Sequence, residues 1–292
     1  MINPKTKTIL HVNLEKKEAV TKSYPDLRNF VGGFGLSSKL TLDYIESDPI
    51  IFSIGPLNGL FPFASKTCCT FLADGKFIDT YVGGNLSSRL RFTGVDAIVF
   101  EGESLGPVAV SITDTEVTFS APDTDTDMLG IPRKRSVLDA TGDKVVVDSY
   151  FAFGDQTLIT KLRKKGIYSV VVSCSQDFAL ENLERYQKHY EEILGKSELM
   201  LVQKSDHPSC SGCPMGCTKA SIGEVGGNVL VHSLVVCIYA EPIYNHIPTV
   251  FACLSSLGYD YRHEELEALP DLTHSTIEKI YEKIAGSKLE RE

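Results

Sequence analysis

The chain has 292 residues, of which 42% are hydrophobic and 23% charged, so it can bury a substantial core and is not expected to be disordered. Its formal net charge of -9 argues against a general nucleic-acid or anionic-membrane surface, because such surfaces need an excess of cations. The first residues lack the apolar core of a signal peptide, and no apolar run is long enough to span a bilayer. We therefore expect a cytoplasmic protein with neither nucleic acid nor membrane as a partner.

Strand signals dominate the first part of the chain, up to Cys174. The predicted strands share β-branched and aromatic residues that are bounded by turn residues. They lie in hairpins at 8–21 and 107–121 and in single buried strands at 50–59, 97–106, 144–154 and 166–174.

A short pattern occurs twice, about fifty residues apart, at 31–40 (VGGFGLSSKL) and 82–92 (VGGNLSSRLRF). Each copy has a glycine pair, a Leu-Ser-Ser-basic-Leu segment and then an apolar strand. We interpret this as a weak internal repeat, consistent with two related halves of one β-rich domain. The glycine pairs could let backbone amides approach a phosphate, but glycines packed in tight turns explain them at least as well.

Helical periodicity begins near Asn182 and ends at Gly195, a natural C-terminal stop. A domain boundary is therefore predicted here. At the end of the chain, Ser275 and Glu278 form a candidate capping box for an amphipathic closing helix.

Three cysteines, Cys210, Cys213 and Cys217, form a C-x2-C-x3-C run in a loop that is rich in glycine and proline. Such spacing lets several thiolates face one centre, which a metal or a cluster requires. By position, Cys237 is the first candidate for a fourth ligand and Cys253 the second. Four thiolates suit zinc as well as iron and sulfide, so the spacing leaves the metal open.

No set of nucleophile, base and orienting residue can be named, so no catalytic residue is predicted. His207 lies beside the cysteine run and could ligate a metal or donate to a sulfur, although histidines in loops are usually only solvated. Cys68 and Cys69 should point to opposite faces of a strand and serve as core thiols.

Three segments resemble the tungsten-dependent aldehyde ferredoxin oxidoreductase family: 55–59 (GPLNG), 82–102 (VGGNLSSRLRFTGVDAIVFEG) and 210–217 (CSGCPMGC). The resemblance covers most of residues 5–270. It implies an α+β fold, with a pseudo-two-fold β-sheet domain at 1–180 and a small, mostly helical domain with the cysteines at 181–292. In that family the first domain binds one face of a tungsten bis-pterin cofactor, beside a four-cysteine [4Fe-4S] cluster.

The family resemblance also bears on the fourth ligand. The segment SLVVCIYAEP is similar to the family region in which a D-x-x-G-L-C motif supplies a pterin contact and the last cluster cysteine, and Cys237 falls on that cysteine. The implied cluster ligands are Cys210, Cys213, Cys217 and Cys237.

Several positions depart from the family pattern at pterin contacts. Lys66 replaces an arginine, Tyr81 an asparagine, His232 an aspartate and Val235 a glycine. Family members are also much longer, and most of their helical domains and substrate cavity have no counterpart here. The resemblance thus implies a degenerate pterin site, with Lys66, Gly83 and Gly84 as its candidate cofactor contacts.

The leading hypothesis is an iron–sulfur protein that binds one [4Fe-4S] cluster and serves as an electron-transfer or redox subunit. Its partner would be a ferredoxin or a larger oxidoreductase subunit, and homo-oligomerisation is left open. One alternative is an enzyme that oxidises aldehydes to carboxylates with ferredoxin as acceptor, using a tungsten or molybdenum pterin together with another chain. The other is a zinc-stapled binding or assembly protein.

Overall fold

The computed structural model describes residues 3–177 and 179–289. A first mixed sheet has the strand order β2-β1-β6-β3-β4-β5, in which only β1 and β6 are parallel. Its strands are β1 (Lys7–Asn13), β2 (Glu18–Tyr24), β3 (Ile50–Ser53), β4 (Thr67–Ala73), β5 (Lys76–Val82) and β6 (Ala97–Glu101). Strand β2 lies at the edge, where charged residues such as Glu18 and Lys22 discourage pairing with another chain.

A second mixed sheet follows, with the order β11-β10-β9-β12-β7-β8. Its strands are β7 (Val108–Ile112), β8 (Val117–Ser120), β9 (Arg135–Asp139), β10 (Val146–Val147), β11 (Phe151–Ala152) and β12 (Ile167–Ser173). The pairing repeats that of the first sheet. Strands β7 and β8 form a hairpin, β7 pairs in parallel with β12, and the pairs β12–β9, β9–β10 and β10–β11 are antiparallel. The predicted pseudo-two-fold β-sheet architecture is therefore confirmed.

The repeat seen in the sequence is not the repeat that relates the two sheets. Its two copies form α1 (Gly33–Asp43) followed by β3, and α2 (Leu86–Phe92) followed by β6. Both strands belong to the first sheet, where they lie side by side and antiparallel. Reading the two copies as the two halves was wrong, because they share a turn-helix-strand pattern rather than the full six-strand unit.

Residues 144–154 form two short strands rather than the single predicted one. Asp148 and Ser149 both have positive φ values, of 51° and 59°, so the chain reverses between β10 and β11. The Asp148 carboxylate accepts hydrogen bonds from the backbone amides of Val137 (3.1 Å) and Asn85 (2.9 Å), which hold the turn in place.

Helix α3 (Thr157–Lys164) lies between β11 and β12. The remaining helices lie after residue 181, where the helical periodicity predicted helix. They are α4 (Leu183–Gly195), α5 (Val229–Leu234), α6 (Glu241–Tyr244), α7 (Ile247–Ser256), α8 (His263–Glu267) and α9 (Leu269–Leu289). Asn182 caps α4 by accepting a hydrogen bond from the Arg185 amide at 2.8 Å. The capping box predicted at Ser275 was wrong, since α9 begins at Leu269 and Ser275 lies inside it.

Helices α5 and α9 both pack on α1, so the C-terminal part of the chain covers the first sheet on the side of its first glycine pair. Among the described residues, no helix combines the length and the apolar character that a membrane crossing requires. The boundary at residue 181 stays a prediction.

Candidate metal centre

The cysteine run lies in an irregular loop that pairs with the preceding segment. The amide of Ser205 donates to the carbonyl of Met215 at 2.9 Å, and that of His207 to the carbonyl of Gly216 at 3.1 Å. Gly216 has φ 50° and approaches these neighbours so closely that a side chain would not fit. The loop is thereby fixed with Cys210 and Cys217 buried and Cys213 half-buried.

Cys237 reaches the same place from the end of α5. Its amide donates to the carbonyl of Phe63 at 3.1 Å, and the Lys66 amide donates to the carbonyl of Val235 at 3.2 Å. These two bonds attach the segment after α5 to the loop between β3 and β4. Cys253 instead lies on α7 in the core, near Lys196 and Glu192, so it is not beside the cysteine run.

Lys66 is the cation at this centre. The residue is 2% exposed, and its ammonium Nζ donates to Cys210 Sγ at 3.3 Å. Burial alone would lower the pKa of Lys66, but the neighbouring thiol groups of Cys210 and Cys237 outweigh it and raise the pKa. A buried ammonium of this kind offsets the negative charge that metal-bound thiolates carry.

The thiols act on one another as well. Burial raises the pKa of Cys213 to about 12, against a hydrogen bond with the Met215 backbone that lowers it, and Cys210, Cys237 and Cys217 each add a smaller increase. Burial also raises the pKa of Cys237, against the nearby Lys66 charge and a hydrogen bond with the Tyr239 backbone. Cys213 and Cys237 are thus each near enough to other cysteines of the predicted set for their pKa values to respond, and all eight cysteines of the chain are free.

The second glycine pair lies directly against this centre. A Cβ built on Gly83 would lie 2.6 Å from Cys210 Sγ and 3.1 Å from Lys66 Nζ, and one on Gly84 would lie 2.8 Å from the Phe151 ring. The Gly84 carbonyl accepts a hydrogen bond from the Ser211 amide at 3.0 Å. Lys66, Gly83 and Gly84, which were expected on the pterin side, are therefore in contact with the cysteine loop.

The first glycine pair lies against α5. A Cβ on Gly33 would be 2.8 Å from the carbonyl oxygens of His232 and Ser233, and closer still to the Val235 side chain. Gly55 packs in the same way on Leu234, with 2.7 Å from a built Cβ to the Leu234 Cα. Both glycines permit a close approach between backbones.

The remaining candidates from sequence lie elsewhere. His207 is exposed and its Nδ1 pairs with the Tyr150 hydroxyl at 3.0 Å. Cys68 and Cys69 are both fully buried on opposite faces of β4, as expected. Within the described ranges, no three His, Cys, Asp or Glu side chains are grouped closely enough to hold a metal ion.

Phe151 and Asp148 were not singled out from the sequence. The Phe151 ring lies over both glycines of the second pair, and Asp148 Oδ2 would be 3.1 Å from a Cβ on Gly84. Their segment was expected to be one continuous strand, which would carry these two residues past the glycines. The signal that could have predicted the turn is the pair Asp148–Ser149 between two apolar runs, because Asp and Ser favour turns.

Two comparisons with known proteins bear on this arrangement. Residues 9–145 match the family model described as the aldehyde ferredoxin oxidoreductase N-terminal domain. The first part of the chain therefore matches this domain, which confirms the resemblance noted in the sequence.

A similar solved structure is the active site complex BamBC of benzoyl coenzyme A reductase in complex with 1,5-dienoyl-CoA. The sequences are 20% identical, the TM-score is 0.58, and the match covers 68% of this chain and 35% of that chain. The chain thus spans about a third of the length of that relative, and the likeness establishes a shared fold.

Proposed function

We propose that this chain is an iron–sulfur protein that holds one [4Fe-4S] cluster and exchanges electrons with a redox partner. The observation that carries the proposal is the hydrogen bond from the buried Lys66 ammonium to Cys210 Sγ, with Cys237 and Cys217 close enough to raise the pKa of Lys66 and Cys213 interacting with these thiols. Two distant segments supply these thiols, and a structural role in the core does not require a cation among them.

The donor set suits a cluster. Four thiolates are the usual ligands of a [4Fe-4S] cluster, whereas one zinc ion needs all its sulfurs at about 2.3 Å from a single centre. The resemblance to a family with a four-cysteine [4Fe-4S] cluster supports a cluster over zinc, and in a cluster each iron takes a different cysteine.

The protein side of the centre supports a redox role. Hydrogen bonds from the backbones of Met215 and Tyr239 to the cysteine sulfurs, together with the Lys66 charge, stabilise added negative charge. When bound, the cluster would supply one-electron storage. Such hydrogen bonds and charges set its potential.

The centre is also close to the surface. Cys213 and Cys237 are half-buried, and Gly212, Pro214 and Lys219 around the loop are exposed. A partner can therefore approach within electron-transfer distance of the thiols. A ferredoxin or a larger oxidoreductase subunit would suit this surface, and the similar solved structure is itself described as an active site complex.

Metal analysis of protein purified without oxygen tests the proposal. About four irons and four sulfides per chain are expected, with an absorption band that bleaches on reduction. Cys237→Ser should reduce the iron content, whereas the matched control Cys253→Ser should retain it, because Cys253 lies in the core away from the centre. Iron near zero with stoichiometric zinc would refute the proposal and favour the zinc-stapled alternative.

A further inference from the structure

The groove between the two glycine pairs is the place where the family resemblance implies a pterin cofactor. A large, phosphate-bearing ligand needs bare backbone there, with amide groups free to approach it. We define the glycine groove as the surface formed by Gly32–Gly33, Gly55 and Gly83–Gly84. In this chain that surface is in contact with protein atoms along its length.

The first part of the groove is filled by α5 and the residue after it. The backbones of His232, Ser233 and Leu234 lie within contact distance of Gly33 and Gly55. The amide of Gly33 itself donates to the Ile54 carbonyl at 3.0 Å, so it is not free to bind a phosphate.

The second part is filled by the metal centre. Cys210 Sγ and the Phe151 ring occupy the space over Gly83, and Phe151 also covers Gly84. Lys66 Nζ lies beside this pair and already donates to Cys210. No open phosphate cradle is left at Gly83 or Gly84.

Val235 is held in a strained backbone conformation by the residues that pack around it. It has φ 53° and ψ 44°, a left-handed conformation that is unfavourable for a β-branched residue, and it is fully buried. Its side chain packs with Cys68 and Tyr81, and the Tyr81 ring lies 6.0 Å from that of His232. Strain of this kind persists only where the surrounding packing imposes it.

We propose that residues 229–235 and Cys210 fill the glycine groove, so that the folded chain excludes a bis-pterin cofactor from the place where the family resemblance implies one. Three of the residues that depart from the family pattern lie together here: His232 and Val235 belong to the filling, and Tyr81 packs against them. The groove has become part of the core, and its glycines serve close packing. This inference does not depend on which metal the cysteines bind.

The first test uses the full chain produced in a host that makes both tungsten- and molybdenum-pterin cofactors. Tungsten, molybdenum and the fluorescence of oxidised pterin are expected at trace level only. Stoichiometric tungsten or molybdenum together with pterin would overturn the inference. Iron and sulfide measured on the same sample report on the proposed function separately, since iron can be absent while the groove remains closed.

The second test measures access to the groove. Cys68 and Cys69 are adjacent and fully buried, but Cys68 packs with Val235 whereas Cys69 lies in the main core. Alkylation of the native protein with iodoacetamide, followed by peptide mass spectrometry, should find both thiols protected. Rapid alkylation of Cys68 in the unmodified chain would show an open groove and overturn the inference.

Two matched variants locate the closure. Val235→Ala should raise the alkylation rate of Cys68 by roughly tenfold while Cys69 stays protected, because the opening is local. Val236→Ala removes the same atoms from the main core and should leave the Cys68 rate unchanged. Equal Cys68 rates in the two variants would show that Val235 does not close the groove, and the measurements on the unmodified chain decide the question if a variant does not fold.

Discussion

The two glycine-pair loops have similar sequences but different neighbours. The first, at Gly32–Gly33, packs on the backbone of α5, whereas the second, at Gly83–Gly84, packs on Cys210, Lys66 and Phe151. Each loop precedes a helix with two buried serines, Ser37 and Ser38 in α1 and Ser87 and Ser88 in α2.

This difference shows which structural features a local sequence pattern determines and which it does not. The shared pattern produces the same turn and helix start in both copies, but it does not specify what lies against the glycines. The neighbours come from segments that are distant in sequence, and they pack the first loop on a helix and the second beside the candidate metal centre.

The largest expected effect comes from adding one methyl group to each loop. Gly33→Ala should lower the free energy of unfolding by about 2–4 kcal/mol, since Gly33 has φ 41° and the neighbouring carbonyl oxygens of α5 cannot move aside. Gly83→Ala should cost about 1 kcal/mol, since the ends of side chains such as Lys66 can shift. Urea unfolding measures both.

The main expected effect of Gly83→Ala is on the iron content, which should fall because the added methyl group displaces Cys210 Sγ. Gly142→Ala is the control, since a Cβ there meets no atom within 4 Å and should change neither quantity. Equal losses of stability at Gly33 and Gly83 would contradict the conclusion that the first loop packs on rigid backbone and the second on side chains that can shift.

The segment that carries Tyr259 and Tyr261 lies near the first loop and encloses Lys7, which leads to a prediction about pH; we call this segment the tyrosine cover. Tyr259 and Tyr261 stack at 5.7 Å in the segment between α7 and α8, and the Tyr261 hydroxyl donates to the carbonyl of Arg28, just before the first glycine pair. Beneath them Lys7 is 1% exposed, with its Nζ 5.5 Å from the centre of the Tyr259 ring. Burial lowers the pKa of Lys7 from 10.5 to about 8.

Because this pKa is lowered, the unfolded chain binds more protons than the folded chain between about pH 8 and pH 10.5. The free energy of unfolding should therefore rise with pH across this window, relative to Lys7→Met, by about 1–3 kcal/mol. Urea unfolding of both proteins at several pH values measures the difference. A difference that stays constant with pH would mean that Lys7 is not enclosed by this cover.

The smallest expected effect concerns Lys66, which distinguishes the second loop from the first. Removing its charge should make the reduced metal centre less stable, so Lys66→Met should lower the midpoint potential by tens of millivolts, up to about 100 mV. Lys66→Arg keeps the charge and should keep the potential close to that of the unmodified protein. A redox titration followed by absorption or electron paramagnetic resonance measures both, and an unchanged potential in Lys66→Met would exclude Lys66 as an electrostatic partner of the centre.

Much of the first sheet could be predicted from the sequence, because alternation of apolar residues is a local signal. The hairpin formed by β1 and β2 and the helix that ends at Gly195 were predicted correctly for this reason. The turn at Asp148 was missed, because its positive φ values depend on amides that Val137 and Asn85 present from other elements. The pseudo-two-fold pair of sheets was predicted only through the family resemblance and not from a repeated motif, since strand pairing leaves no short motif.

By itself, the sequence determined the resemblance of the first part of the chain to a known family, the strand-rich character of that part and the three closely spaced thiols of the cysteine run, because each of these is encoded within a short stretch of chain. Only the tertiary structure placed the Lys66 ammonium against Cys210 and packed the end of α5 on the first glycine pair. Those contacts link residues far apart in the chain. Their formation depends on the packing of whole elements, which no local pattern specifies.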